Sequence, residues 1–198
     1  MKPTAILSNE HRVIEVVLTC LEQITDTARK NGKLDRQAAE TAIDIIRNFA
    51  DRCHHGKEED HLFKALQAKG MPSDSGPIGQ MLNEHEEGRA YVKKMADNIA
   101  PAADGDTRAI SNFSAAAGGY VAMLRAHIQK EDRVLFPMAE RFLTVAEQEQ
   151  MVTTFQHVES DKMGDGTHGR YLDLVRKIAE QYGVSTDALA GATCNCGH

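Results

Sequence analysis

Two stretches of the chain decide its fold: His54-His55-Gly56-Lys57-Glu58-Glu59-Asp60-His61-Leu62-Phe63 and His127-Ile128-Gln129-Lys130-Glu131-Asp132-Arg133-Val134-Leu135-Phe136. Both read His-x-x-Lys-Glu-x-x-x-Leu-Phe. Residues four apart on a helix stack on one face, so His54 lies over Glu58 and His127 over Glu131. Each pair extends an apolar stripe at steps of three and four. One stripe is Ile43, Ile46, Ala50, His54, Glu58, Leu62, Ala65; the other is Ala116, Gly119, Met123, His127, Glu131, Leu135. That period implies two amphipathic helices, each with a His/Glu pair on its buried face.

The similarity continues upstream. Asn9-Glu10-His11 matches Asn83-Glu84-His85, with His11 43 residues before His54 and His85 42 residues before His127. Residues 8–70 and 78–140 therefore form an internal repeat of helix pairs. Helix one is expected from near Ser8 to about Lys30, stopped by Asn31-Gly32, with His11, Ile14, Leu18, Leu21 and Thr25 facing inward. Helix two should follow Asp35, a good N-cap, and end near Lys69 before Gly70 and Pro72. Helix three is expected over Ile78 to Ile99, broken by Pro101. Its inward stripe is Met81, His85, Gly88, Val92, Met95, Ile99. Helix four should run from Thr107 to at least Phe136, where Pro137 kinks or ends it.

Short loops between long amphipathic helices predict an all-α fold: an up-down-up-down antiparallel four-helix bundle with additional C-terminal helices. No stretch alternates as a strand would. The bundle is assigned to residues 1–142. Residues 143–190 form a C-terminal helical appendage, opened by a Thr144/Glu147 capping box, and residues 191–198 a mobile tail. Within the tail, Cys194 and Cys196 are a weak candidate for a soft-metal site.

Composition excludes several classes. The net charge is −6, with no dense Lys/Arg run, so neither nucleic acid nor an anionic membrane surface is an expected partner. No signal peptide or bilayer-spanning stretch is read, and a soluble cytoplasmic protein is expected, monomeric or homodimeric. The four cysteines do not form a disulfide framework.

Nine histidines are unusual for this length. A single His on an apolar stripe is ordinarily a core residue bonded to a carbonyl. Here His11, His54, His85 and His127 converge on the bundle axis with Glu58 and Glu131. Burying two carboxylates without a counter-charge costs several kcal/mol each, and a cation removes that cost. Lys57 and Lys130, one residue off the stripe, are expected to point elsewhere. The six residues are read as ligands of two cations, each Glu able to bridge them and the His capping the ends. The repeat sets His54, rather than His55, against His127, and a helical step of about 100° turns His55 away. His55 remains a candidate additional ligand. Glu15 is read as a further ligand or, preferably, as an ion-pair partner of Arg89. Gly119 and Gly88 are read as leaving a pocket for a small ligand beside the metals, with close helix packing as the other account of Gly119. Cys53 is read as a core residue, His61 as solvated, and His157 and His168 as structural.

On these motifs the chain resembles the haemerythrin-like, or HHE cation-binding, family over roughly residues 8–140. The resemblance implies two iron ions in a non-haem, oxo- or hydroxo-bridged di-iron centre. Arg89 and the His127/Glu131 spacing differ from the oxygen-carrying members. The symmetric four-His, two-Glu set is more similar to bacterial di-iron proteins that handle nitric oxide or repair iron–sulfur clusters. The expected function is binding or reduction of a small diatomic or peroxide (nitric oxide, dioxygen, hydrogen peroxide) in redox or nitrosative stress, with a redox partner protein. The alternative is an iron, oxygen or nitric oxide sensor, or an oxygen-binding module, without turnover. A structural zinc or manganese site is the third reading.

Overall fold

The computed structural model of the chain describes residues 1–158 and 167–191. The Cys194/Cys196 motif lies outside the described residues, as does all of the expected tail beyond Gly191. Among the described residues there are six helices and no strand: α1 (Pro3–Asn31), α2 (residues 36–68), α3 (Gly76–Ala103), α4 (residues 107–142), α5 (Val145–Val158) and α6 (Thr167–Gln181), followed by a short 3-10 turn at Asp187–Gly191. Helices α1 to α4 form the four-helix bundle, and each packs against its neighbours in chain order, with α4 returning to α1.

Helix ends follow local chemistry. Asp35 caps α2 by accepting from the Ala38 N–H, and Asp106 caps α4 by accepting from Arg108 and Ala109. Gly32 takes the left-handed conformation that closes α1. Thr144 and Glu147 bond reciprocally at the start of α5. Three boundaries differ from expectation. Helix α1 starts at Pro3 rather than near Ser8, because proline is preorganised for a first helical turn and Thr4 and Leu7 are buried. Helix α3 begins at Gly76 and continues through Pro101 to Ala103. Proline falls in its last turn, where the disruption is confined to the end of the helix. Helix α4 passes Pro137 and reaches Phe142, because a widened turn at Glu131–Leu135 precedes the proline and rearranges the hydrogen bonds it would break.

That widened turn has a counterpart. Phe136 N–H donates to the Glu131 carbonyl and Phe63 N–H to the Glu58 carbonyl, each five residues back instead of four. A longer π-helical segment, Ile46–His55, leads into the first of these. Such turns insert a residue into the helix and re-aim the side chains around them.

The core divides into two apolar clusters with a polar layer between them. The larger contains Leu18, Leu21, Phe49, Phe113 and Tyr120, and α6 adds Tyr171, Val175 and Ile178 to it. The smaller contains Leu7, Phe63, Leu66, Ile78 and Phe136, and α5 closes it with Met151 and Phe155. The C-terminal helices thus share the bundle's own core.

Phe155 is fully buried in the smaller cluster. Phe155→Ala is expected to cost about 3–5 kcal/mol, the usual range for emptying a buried aromatic site. A thermal melt should show one lowered transition for the whole chain. An unchanged bundle transition would mean that α5 is not part of the cooperative unit.

Candidate metal centre

The polar layer is built by four imidazoles and four acids arranged in a ring. His11 Nδ1–H on α1 donates to Asp132 on α4 at 2.9 Å, and His54 Nδ1–H on α2 donates to Glu10 on α1 at 2.9 Å. His85 on α3 donates to Glu59 on α2 at 2.7 Å, and His127 on α4 to Glu84 on α3 at 2.8 Å. Each helix lends one carboxylate to the histidine of the next, and the ring closes from α4 to α1. A carboxylate on Nδ1 fixes the tautomer and leaves Nε2 as the free donor.

The four Nε2 atoms turn toward Glu58 and Glu131. Glu131 lies 3.2 Å from His11 Nε2 through Oε2 and 3.2 Å from His127 Nε2 through Oε1. Glu58 lies 3.6 Å from His54 Nε2 through Oε1 and 3.6 Å from His85 Nε2 through Oε2. Each carboxylate therefore spans two histidines with its two oxygens. Donor atoms fall into two groups, each within 4.8 Å: His11, His54, Glu58 and Glu131 in one, and His55, Glu58, His85 and His127 in the other. Every one of these residues is buried.

Five of the buried atoms lack a hydrogen-bond partner: His11 Nε2 and both oxygens of Glu58 and of Glu131. Buried polar atoms are nearly always bonded, so a cluster of orphans facing one another calls for a missing counter-charge. Burial and the neighbouring Glu131 push the Glu58 carboxyl well above the usual carboxylate range. Burial also opposes ionisation of Glu131, but His127 and His11 hold it well below that range. Burial draws His127 down, yet Glu131 and Glu84 outweigh it and push its pKa up to about 9. Cations placed among these atoms would satisfy all five orphans, and the nitrogen/oxygen donor set suits iron, manganese or zinc.

The acids that hold the histidines are themselves held. Burial disfavours ionised Glu10, but the buried Lys57, bonded to it, and His54 bring its pKa down to about 2. Lys130 bonds Glu84 in the same way; partial burial opposes ionisation there, but His127 and Lys130 bring that carboxyl down to about 2 as well. Lys57 and Lys130 therefore do not point idly off the stripe, as the sequence suggested; they reach round to the glutamate beside the next histidine. Glu10, Glu84, Glu59 and Asp132 were given no role from sequence. Their signal was present, since all four occupy equivalent places in the two repeats.

The other candidates fall as follows. His55 is buried beside His54, because the π-helical segment advances each residue by less than an α-helical step. It stacks on His85 with centroids 3.8 Å apart. Glu15 pairs with Arg125 on α4 at 3.2 Å and not with Arg89, since α1 faces α4 there. Arg89 instead binds Asp51 at 2.9 Å and Glu59 at 2.7 Å. Gly88 borders a cavity of about 170 Å³ between α2 and α3. Gly119 does not; the Tyr91 ring covers it, and a Cβ there would lie 2.5 Å from Tyr91 Cε1. Its missing side chain makes room for Tyr91, which corrects the pocket expectation at that position. Cys53 is buried, and His61 is half-buried with its ring edge toward Phe155 rather than solvated.

A four-helix bundle with a buried core of histidines and carboxylates defines a class of helical metal-binding proteins. The chain belongs to the Hemerythrin HHE cation binding domain family, whose model matches residues 2–139. Uncharacterised proteins of Mycobacterium tuberculosis and Mycobacterium bovis are 24% identical over 178 residues, spanning 90% of this chain and 69% of theirs. The iron-sulfur cluster repair protein YtfE of Musicola paradisiaca is 35% identical over 91 residues, 44% of this chain and 40% of that protein. No solved structure matches the chain at a significant level. No helix of the described residues is long and apolar enough to cross a membrane.

Two outcomes are expected from this geometry. Lys57→Met removes the charge that keeps Glu10 ionised and should weaken metal retention about 10–100-fold, the usual effect of losing a partner behind a ligand. Competition with a chelator measures this, and unchanged retention would show that Glu10 holds His54 unaided. The second concerns pH. His127, with its pKa near 9, carries a proton at neutral pH in the metal-free protein, and a cation must displace it; the raised Glu58 acts in the same direction. Metal loading in weak buffer at pH 7 should therefore release at least one proton per chain. Affinity should rise with pH up to about 9 and fall as the medium becomes acidic. Loading without proton release would contradict the raised values.

Proposed function

We propose that the chain holds two iron ions and uses them to bind or reduce a small diatomic molecule or a peroxide. The single observation that carries the reading is the pair of orphaned carboxylates, each stretched between a histidine of one donor group and a histidine of the other. His11 and His54 would hold one ion, His85 and His127 the other, and Glu58 and Glu131 would lie between them. His55 would stand beside the second. Four imidazoles sharing two carboxylates would suit iron better than tetrahedral zinc. The likeness to an iron-sulfur cluster repair protein supports the same element.

Bound iron supplies electrons singly or in pairs and exchangeable positions for a small molecule. The chain's own residues do the rest. The ring of acids keeps every Nδ1 protonated and every Nε2 aimed inward. The two apolar clusters exclude bulk water from the polar layer, which strengthens each electrostatic interaction within it.

A second reading, a sensor without turnover, has one specific observation in its favour. The Lys57 ammonium lies 5.9 Å from the centroid of the Phe155 ring on α5. Through Glu10 and His54, that contact links the metal centre to a C-terminal helix.

Iron-replete protein should contain two irons per chain and show near-ultraviolet charge transfer when oxidised. Reduced protein given an electron donor should consume many equivalents of nitric oxide or hydrogen peroxide. Uptake of a single equivalent would establish the sensor reading. One zinc per chain under the same conditions would overturn both.

A further inference from the structure

His55 breaks the symmetry of the repeat. Its counterpart in the second half is Ile128, an ordinary buried apolar residue. The other four imidazoles are tied by carboxylates at 2.7–2.9 Å. The tie of His55 is looser: its Nδ1 is 3.4 Å from Asp51 Oδ1, and that same oxygen already accepts from Arg89 Nε at 3.0 Å. Its ring lies almost flat against His85, with 13° between the planes.

Behind this loosely held ring is the cavity of about 170 Å³. His55 and His85 form its inner wall, and Ile46, Gly88, Val92 and Tyr120 give it an apolar interior. It exceeds the space of one water (about 30 Å³) several-fold and resembles in size the apolar cavities that accept xenon or benzene. Two of the three basic residues at its rim are ion-paired; the third, Arg47, is exposed to solvent. Arg89 is bound to Asp51, Glu59 and Glu86, and Lys93 to Asp97. The apolar interior offers an ion little and an uncharged molecule a place to stay.

We propose that His55 is a displaceable donor and that the cavity behind it is the berth from which a small uncharged molecule reaches the second metal position. This rests on the reading of the polar layer as a metal pair. The exchange transfers no electron and no proton: His55 withdraws as a neutral imidazole and the incoming molecule takes its place.

The test compares wild type, His55→Ala and Gly88→Leu, each loaded anaerobically with ferrous iron. A Leu at position 88 pushes first on the flexible Met123 methyl, 3.2 Å from the built Cβ, and extends into the cavity. Val92→Phe fills the same space should Gly88→Leu not fold. His55→Ala should keep two irons and combine with nitric oxide about tenfold faster in stopped flow. The filled variants should keep two irons and combine at least tenfold more slowly. Azide, an anion, should combine more slowly than nitric oxide with wild type. In metal-free protein, xenon should shift the 129Xe resonance of wild type, and the filled variants should abolish that shift. Loss of one iron in His55→Ala would make His55 an obligatory ligand and overturn the proposal. So would an unchanged nitric oxide rate in any variant, or azide as fast as nitric oxide. Failure of wild type to take up metal would instead defeat the underlying metal reading. The xenon experiment separates the two, because absence of a xenon shift overturns the berth whether or not metal binds.

Discussion

Glu58 and Glu131 face one another at zero exposure, and none of their four carboxylate oxygens has a hydrogen-bond partner. Two carboxylates in that position repel each other and have lost their hydration, a combination worth several kcal/mol per group. The chain relieves it only in part: burial and Glu131 push Glu58 toward its neutral form, and His127 and His11 face Glu131. Both lysines near enough to help are committed one layer out, to Glu10 and Glu84. The arrangement makes physical sense only around cations, and the surrounding structure serves to keep it open for them.

The ring of imidazole–carboxylate bonds is the means. It needs four helices in cyclic contact, because each acid must come from the helix beside its histidine. Glu10 and Glu84 reach within a repeat, and Glu59 and Asp132 reach between repeats. Two copies of one helix pair thus interlock, and neither repeat could complete its own shell alone. The apolar clusters on either side of the layer supply the low-dielectric setting in which these bonds are strong.

Within this near-symmetric frame the departures are few and concentrated. A long π-helical segment precedes Glu58, whereas α4 reaches Glu131 as a regular helix. It brings His55 into the polar layer where the second repeat has Ile128. The cavity and the Arg89 ion pairs lie on that same side, between α2 and α3. The asymmetry is therefore local to one of the two donor groups, so the groups differ in chemistry although their histidines and glutamates repeat.

The sequence by itself determined the helices, the repeat and the inward direction of the six convergent residues. These follow from period, spacing and capping, which are local properties of a chain in water. Asp35, Gly32 and the Thr144/Glu147 pair behave as their chemistry dictates. Tertiary structure decided what depends on distance between helices or on departure from a regular helix. A fixed step of about 100° per residue turned His55 outward, and widened turns, which no residue pattern announced, turned it back. Glu15 was matched with Arg89, but inter-helix geometry gave it Arg125. Gly119 looked like an opening until Tyr91 of α3 came to rest on it. The outer carboxylates stood in the repeat from the start. Only packing showed which histidine each one holds, because a hydrogen bond between helices has no signature along the chain.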